Sequence, residues 1–204
     1  MADKVPYLRV RSELSQAWRD RLANIPRPWI GIVWAPGTWF NSNPSRTISY
    51  ETLRPLIDLA SPHLISLQLG TEAEKTAKDG LFNASPYISD FADSAALINE
   101  LDLLITFDSA PAHLAGGLGK SVWTMLHFNA DWRWLVERED SIWYPTMRLY
   151  RQKQPQDWNT VVERMVYDLK PFLAGEKDAL RSKPWVVPSP IRNPHALPLP
   201  INNC

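Results

Sequence analysis

The chain has 204 residues, 45% hydrophobic and 22% charged, enough for one well-formed core. Its 22 basic and 22 acidic residues cancel, which argues against an extended nucleic-acid surface and leaves room only for a local anion pocket. No apolar run is long enough to span a membrane, the start is polar and mixed, and the single cysteine is the last residue, Cys204; the expectation is a cytoplasmic protein without disulfides.

Residues 1–10 read as an extended lead-in. SELSQAWRDRLANI (12–25) has helical spacing, with Ser12 as its candidate N-cap and Pro26 as its stop. WIGIVWA (29–35) is a continuous apolar, β-branched run suited to a strand buried on both faces. A turn-rich loop, PGTWFNSNPSRT (36–47), follows it. SYETLRPLIDLA (49–60) then predicts a helix capped by Ser49.

The alternation continues. HLISLQL (63–69) predicts a strand, GTEAEKTAKDG a polar loop, and residues 84–88 a weak strand. DSAALINEL (93–101) predicts a helix started by Asp93, LLITF (103–107) a strand, APAHLAGGL (110–118) a short helix and SVWTMLH (121–127) another strand. MRLYRQ (147–152) predicts the last strand, and DWNTVVERMVYDLKPFL (157–173) a closing helix capped by Asp157. The final segment, 183–204, holds six of the eighteen prolines and predicts no packed element.

Strands alternating with helices imply an α/β architecture: a Rossmann-like, doubly wound parallel sheet of about six strands with right-handed crossovers. The expected divisions are a lead-in over 1–27, the sheet domain over 28–175 and a proline-rich tail over 176–204. Ligands of such sheets sit at the carboxyl ends of the strands, which directs attention to the loops after Ala35, Leu69, Phe107 and His127.

Three loops carry chemistry. After Phe107, Ser109 can cap a helix whose first turn holds Pro111, where a missing N–H costs nothing. The remaining amides and the helix dipole favour an anion, and His113 is placed to donate to a phosphate oxygen. The same pattern also makes a plain helix start. Asp108 repels a phosphate and is better suited to bonding loop amides and holding the turn. Gly116 and Gly117 cost the helix ~1 kcal/mol each against alanine, which implies that something presses closely on its backbone. The 36–47 loop offers one cation, Arg46, whose planar fork suits phosphate, or which is simply a surface arginine. In HFNADWRWLVEREDSIWYP (127–145), Asp131 and Arg133 lie among tryptophans, as on a sugar-binding surface; alternatively Trp132, Leu135 and Trp143 pack a helix onto the sheet, which is the expectation adopted. GxGxxG, P-loop, GxSxG and HExxH patterns are missing, and the four histidines have no cysteine partners, so no metal or cofactor is expected.

The run DFADSAALINELDLLITFDSAPAHLAGGLGKSVWTMLHFNADWRW resembles the C-terminal half of glycosyltransferase family 9, the ADP-heptose:lipopolysaccharide heptosyltransferases, and most of all the branch fused to tetratricopeptide repeats. The upstream IGIVWAPG…RTISYETLRPLIDL and LISLQLG fit the same pattern, so the resemblance covers roughly 28–172. It implies half of a GT-B fold that binds a nucleotide-sugar donor. By it, Ser109, Ala110 and His113 cradle the donor diphosphate, with Arg46 and Thr38 as further phosphate contacts. Phe91, Ala92 and Asp93 lie near the base and ribose.

Two departures are visible. Leu69 stands where that branch often has lysine, and residues 1–27 cannot supply the N-terminal domain from which the family takes its catalytic base and acceptor pocket. Sugar transfer therefore calls for a separate acceptor-binding domain or chain, and the open cleft face suits self-association. A non-catalytic nucleotide-binding module, or an interaction protein docking through its prolines, is the alternative.

Overall fold

The computed structural model describes residues 4–36 and 47–181. Six parallel strands form one sheet: β1 (Ile30–Val33), β2 (Leu64–Ser66), β3 (Phe82–Asn83), β4 (Leu103–Phe107), β5 (Val122–Leu126) and β6 (Met147–Arg151), in the spatial order β3-β2-β1-β4-β5-β6. Ile30 pairs with Leu64 on one side and Leu103 on the other; Leu104 pairs with Val122, which pairs in turn with Met147. The chain winds outward from β1 in one direction, then returns to build the other half from β4. This is an α/β, Rossmann-like doubly wound sheet, as the alternation predicts.

Side chains alternate across the pleat, so the central strands feed two cores. Ile30, Ile32, Ile105, Trp123 and Tyr150 join one core with α2 (Arg54–Ala60) and α5 (Trp158–Leu173). Val33, Leu104, Phe107, Val122 and Leu149 join the other with α1 (Ser12–Leu22), α3 (Phe91–Glu100) and α4 (Ala110–Gly117). β1, β2, β4 and β5 are buried throughout, which is why they appear in the sequence as unbroken apolar runs.

Local chemistry fixes the element ends, and several differ from expectation. α1 starts at Ser12 itself, after Arg11, with no side-chain cap. α2 begins at Arg54, not Ser49, because Pro55 has no N–H and clashes with a preceding turn; it is tolerated only in the first helical turn. Ser49 instead accepts the Thr52 N–H at 3.1 Å in the turn before it. Asp90, not Asp93, caps α3, accepting the Ala92 and Asp93 N–H groups, while Asp93 reaches back to the Ser89 N–H at 2.9 Å. The 71–80 loop contains a 3-10 helix, Thr71–Asp79, and β3 falls at 82–83, followed by a 3-10 turn at Ser85–Tyr87 where a strand was expected. α5 is capped as predicted, Asp157 accepting the Thr160 N–H at 3.1 Å.

The ends of the described chain also pack. Tyr7 and Leu8 donate their N–H groups to Gly117 O at the end of α4, and α1 lies on α3. Beyond residue 175, a 3-10 turn at Lys177–Leu180 buries Leu180, whose carbonyl accepts the Trp123 indole N–H at 3.1 Å. The proline-rich segment from 182 lies outside the described residues. No helix among the described residues is long and apolar enough to cross a membrane.

Candidate functional site

β1 and β4 are neighbours whose connections leave in opposite directions, so their carboxyl ends part and open a cleft of about 850 Å³. Val33, Ala35, Leu67 and Gln68 form its floor; Phe91, Ser94 and Ile98 of α3 form one wall. The turn from Asp108 to Pro111, with His113, forms another, and the strand-β5 loop contributes His127, Asn129, Asp131 and Arg133.

Gln68 organises the floor. Fully buried, its side-chain oxygen accepts the Trp34 and Ala35 N–H groups at 3.1 and 3.0 Å, and its amide donates to Ala35 O and Leu69 O, both at 3.0 Å. One side chain thus satisfies four backbone groups where β1 and β2 end, which a buried loop exit requires. Nothing in the spacing of the sequence singled it out; a lone glutamine closing an apolar strand was the available signal. Leu69, beside it, is exposed at the cleft.

The Asp108-Ser109 turn departs from a plain helix cap. Ser109 holds the N-cap position with extended backbone, yet its hydroxyl turns back, donating to Phe107 O at 3.0 Å and resting 3.1 Å from Thr106 Oγ1. Pro111 lies in the first turn of α4, as expected, and the Ala112 N–H goes to Ser109 O at 3.0 Å. The backbone donors this turn can offer a ligand are therefore the amides of Ser109 and Ala110. The two glycines of α4 have the close neighbours their cost implied: a Cβ on Gly116 would fall 2.4 Å from the Tyr144 ring, and one on Gly117 2.8 Å from Leu8.

Asp108 is buried at 8% exposure, its Oδ1 4.0 Å from His113 Nε2. His113 stacks on Trp134, centroids 5.4 Å apart, and its Nδ1 lies 3.0 Å from the Tyr144 hydroxyl. Arg133 Nη1 approaches Nε2 at 3.4 Å, while Arg133 Nε is held by Asp131 Oδ1 at 2.8 Å. Burial holds the His113 imidazole below its ordinary range; the Asp108 and Asp131 carboxylates oppose that and Arg133 reinforces it. The shift favours the neutral imidazole.

Phe91, 66% exposed, presents its ring to the cleft. Ala92 and Asp93 do not line it: their N–H groups go to Asp90, and the Asp93 carboxylate to Ser89. Thr38 and Arg46 lie outside the described residues. The tryptophan-rich segment corrects another expectation. It is no long helix but a single 3-10 turn, Trp132–Trp134, after Asp131, whose side chain accepts the Arg133 N–H. Trp132 is 75% exposed and Leu135 partly so; Trp134, at 1%, is the core residue. Arg138 pairs with Asp140 at 2.6 Å and Glu139 with Arg164 of α5 at 2.5 Å, outside the cleft lining. No cluster of three metal-ligating side chains occurs among the described residues.

No protein-family model matches the chain. A curated relative, protein FlbA of Caulobacter vibrioides, is 28% identical over 167 residues, which cover 77% of this chain and 28% of FlbA. Among solved structures, E. coli ADP-heptose LPS heptosyltransferase II superposes with a TM-score of 0.58 at 15% identity, over 83% of this chain and 54% of that one. The glycosyltransferase family 9 structure from Veillonella parvula gives 0.53 at 12% identity, over 85% and 53%. E. coli heptosyltransferase WaaC with ADP gives 0.52 at 14%, over 79% and 48%. The chain thus spans about half the length of these structures. Its described residues share the fold of one Rossmann-like half of the GT-B heptosyltransferases and family 9 glycosyltransferases.

Proposed function

We propose that the cleft binds a nucleoside diphosphate sugar and that the chain is the donor-binding domain of a glycosyltransferase. The observation that carries this reading is the position of the cleft. It lies at the carboxyl edge between β1 and β4, beside the first turn of α4, on a fold shared with a heptosyltransferase solved with ADP. The Ser109 and Ala110 amides, at the positive end of the α4 dipole, face the diphosphate. The family resemblance adds Arg46 and Thr38, which lie outside the described residues, as further phosphate contacts, and Phe91 offers its ring to the base. Asp108 and His113, side by side past the diphosphate, face the sugar end of the donor. The acceptor and the base that activates it come from a facing domain or chain, since transfer needs both substrates oriented across one closed cleft.

Titration calorimetry of the chain against ADP, GDP, UDP and CDP, then the matching nucleotide sugars, tests this. Half a cleft is expected to bind one of them at about 0.1–1 mM, or roughly −4 to −5.5 kcal/mol. Arg46→Ala is expected to remove about 1–3 kcal/mol of that, and His113→Ala a similar share from the nucleotide sugars. No binding to any of the four nucleotides overturns the reading; binding without sugar release in the presence of a complementary domain identifies a non-catalytic module.

A further inference from the structure

His113 is held from behind by a hydroxyl that lies outside both the cleft lining and the sheet. Tyr144, in the loop before β6, lays its ring over Gly116 of α4, where only glycine leaves room for it. Its hydroxyl is 3.0 Å from His113 Nδ1. On its far side the phenol of Tyr7, from the lead-in strap, lies beside it and, after burial, helps push the Tyr144 hydroxyl above its ordinary range. The strap is itself pinned to the end of α4 by two N–H bonds to Gly117 O, at 3.0 and 3.1 Å, and by Leu8 packing on Gly117. A line of polar atoms therefore runs from the exposed Tyr7, through Tyr144, to the imidazole at the cleft.

The direction of that line follows from the donor inventory. Arg133 can only donate, and its Nη1 lies 3.4 Å from Nε2, whereas the Asp108 carboxylate at 4.0 Å is beyond hydrogen-bonding distance. Nε2 thus carries the lone pair, and the neutral ring keeps its proton on Nδ1. The groups facing the ring are Asp108 from the turn after β4, Asp131 and Arg133 from the cap and body of the 3-10 turn, and Tyr144 from the loop before β6; Trp134 covers one face. Among the described residues, only Tyr144 stands at Nδ1 to accept.

We infer that Tyr144, oriented by Tyr7, is a positioning residue that fixes His113 as the Nδ1–H tautomer, so that Nε2 stands at the cleft as an acceptor, taken up by Arg133 until a ligand hydroxyl displaces that guanidinium. An acceptor nitrogen suits a ligand hydroxyl and rejects a phosphate oxygen, so His113 reads the sugar or ribose end of a donor. This specificity rests on the nucleotide-sugar reading of the cleft. The tautomer itself does not.

Long-range proton–nitrogen correlation spectra of the nitrogen-15-labelled chain at neutral pH test it, with His113→Gln identifying which of the four histidines is which. The wild-type chain is expected to show the Nδ1–H pattern at His113. Tyr144→Phe keeps the ring that packs on Gly116 but removes the acceptor, and is expected to move most of the population to Nε2–H. Tyr7→Phe, at the surface, is expected to move it partway, because a released Tyr144 can donate to Nδ1 instead. A ring that serves only as packing predicts no change in either variant, and that result, or an Nε2–H wild type, overturns the inference. ADP titration of the same wild-type sample separates the two claims: absent binding defeats the donor-site reading, while the spectra decide the positioning role.

Discussion

At the scale of single residues, burial and partner chemistry, not residue type, decide what each side chain does. Trp132 and Trp134 are two positions apart with similar neighbours, yet one is 75% exposed and the other 1%. Trp134→Ala is expected to cost about 3–5 kcal/mol in urea denaturation. Trp132→Ala is expected to stay within about 0.5 kcal/mol of wild type, and a large loss there would mean that its ring packs after all. His113 makes a different prediction. Because burial lowers its pKa in the folded chain, the unfolded chain binds more protons just below the ordinary histidine value of about 6.5. Stability contributed by the neutral ring is therefore full above that value and falls as the pH drops from it toward the folded-state pKa. Thermal melts between pH 7.5 and 5 are expected to show a shallower acid decline in His113→Gln than in wild type. Parallel declines would place the acid sensitivity elsewhere.

At the scale of elements, α4 shows how a locally poor sequence serves the site. APAHLAGG has two glycines in eight residues, and replacing Gly116 with alanine recovers up to ~1 kcal/mol of helix propensity. The added Cβ, however, would meet three Tyr144 ring atoms at 2.4–2.8 Å, a rigid neighbour whose displacement costs about 1–3 kcal/mol. The clash outweighs the gain, so Gly116→Ala is expected to lower stability by about 1–2 kcal/mol and to disturb the Tyr144–His113 bond with it. A stabilised variant would show that Tyr144 moves aside freely. The elements that were legible in the sequence are those with one dominant signal. LLITF is a strand over all five predicted residues because an apolar β-branched run between turns has no competing structure. Asp157 caps α5 because the amphipathic pattern begins directly after it. Illegible were the places where two signals compete: Pro55 overrode Ser49 at α2, Asp90 overrode Asp93 at α3, and the 132–134 turn carried aromatics whose partners lie far along the chain. The candidate site was legible in part for the same reason. The Asp108–His113 turn announces itself locally, while Gln68 and Tyr144 reach the cleft only through tertiary contacts at β1 and α4.

At the scale of the whole molecule, one sheet joins two cores that cannot be separated. Ile30, Ile32 and Ile105 face the α2–α5 side, and Val33, Leu104 and Phe107, from the same two strands, face the α1–α3–α4 side. Losing either layer of helices exposes alternate residues of β1, β4 and β5, each worth about 1.5–3 kcal/mol when buried. Against a total stability of only 5–15 kcal/mol, four or five such exposures exceed what the remaining half can supply. The cleft is built from both ends of this arrangement, its floor from β1 and β2 and its walls from α3, α4 and the strand-β5 loop. A half-folded chain would therefore hold no site. The buried tryptophans allow a direct measurement, since Trp34 and Trp123 report from one core and Trp18 and Trp134 from the other. Urea unfolding of variants keeping a single buried reporter on each side is expected to give coincident midpoints, matching the loss of backbone circular dichroism. A bound nucleotide is expected to raise both midpoints together by mass action, because the two layers unfold as one unit. Midpoints that separate would show that the α2–α5 core stands without the wall carrying His113, and that ligand stabilises that wall alone.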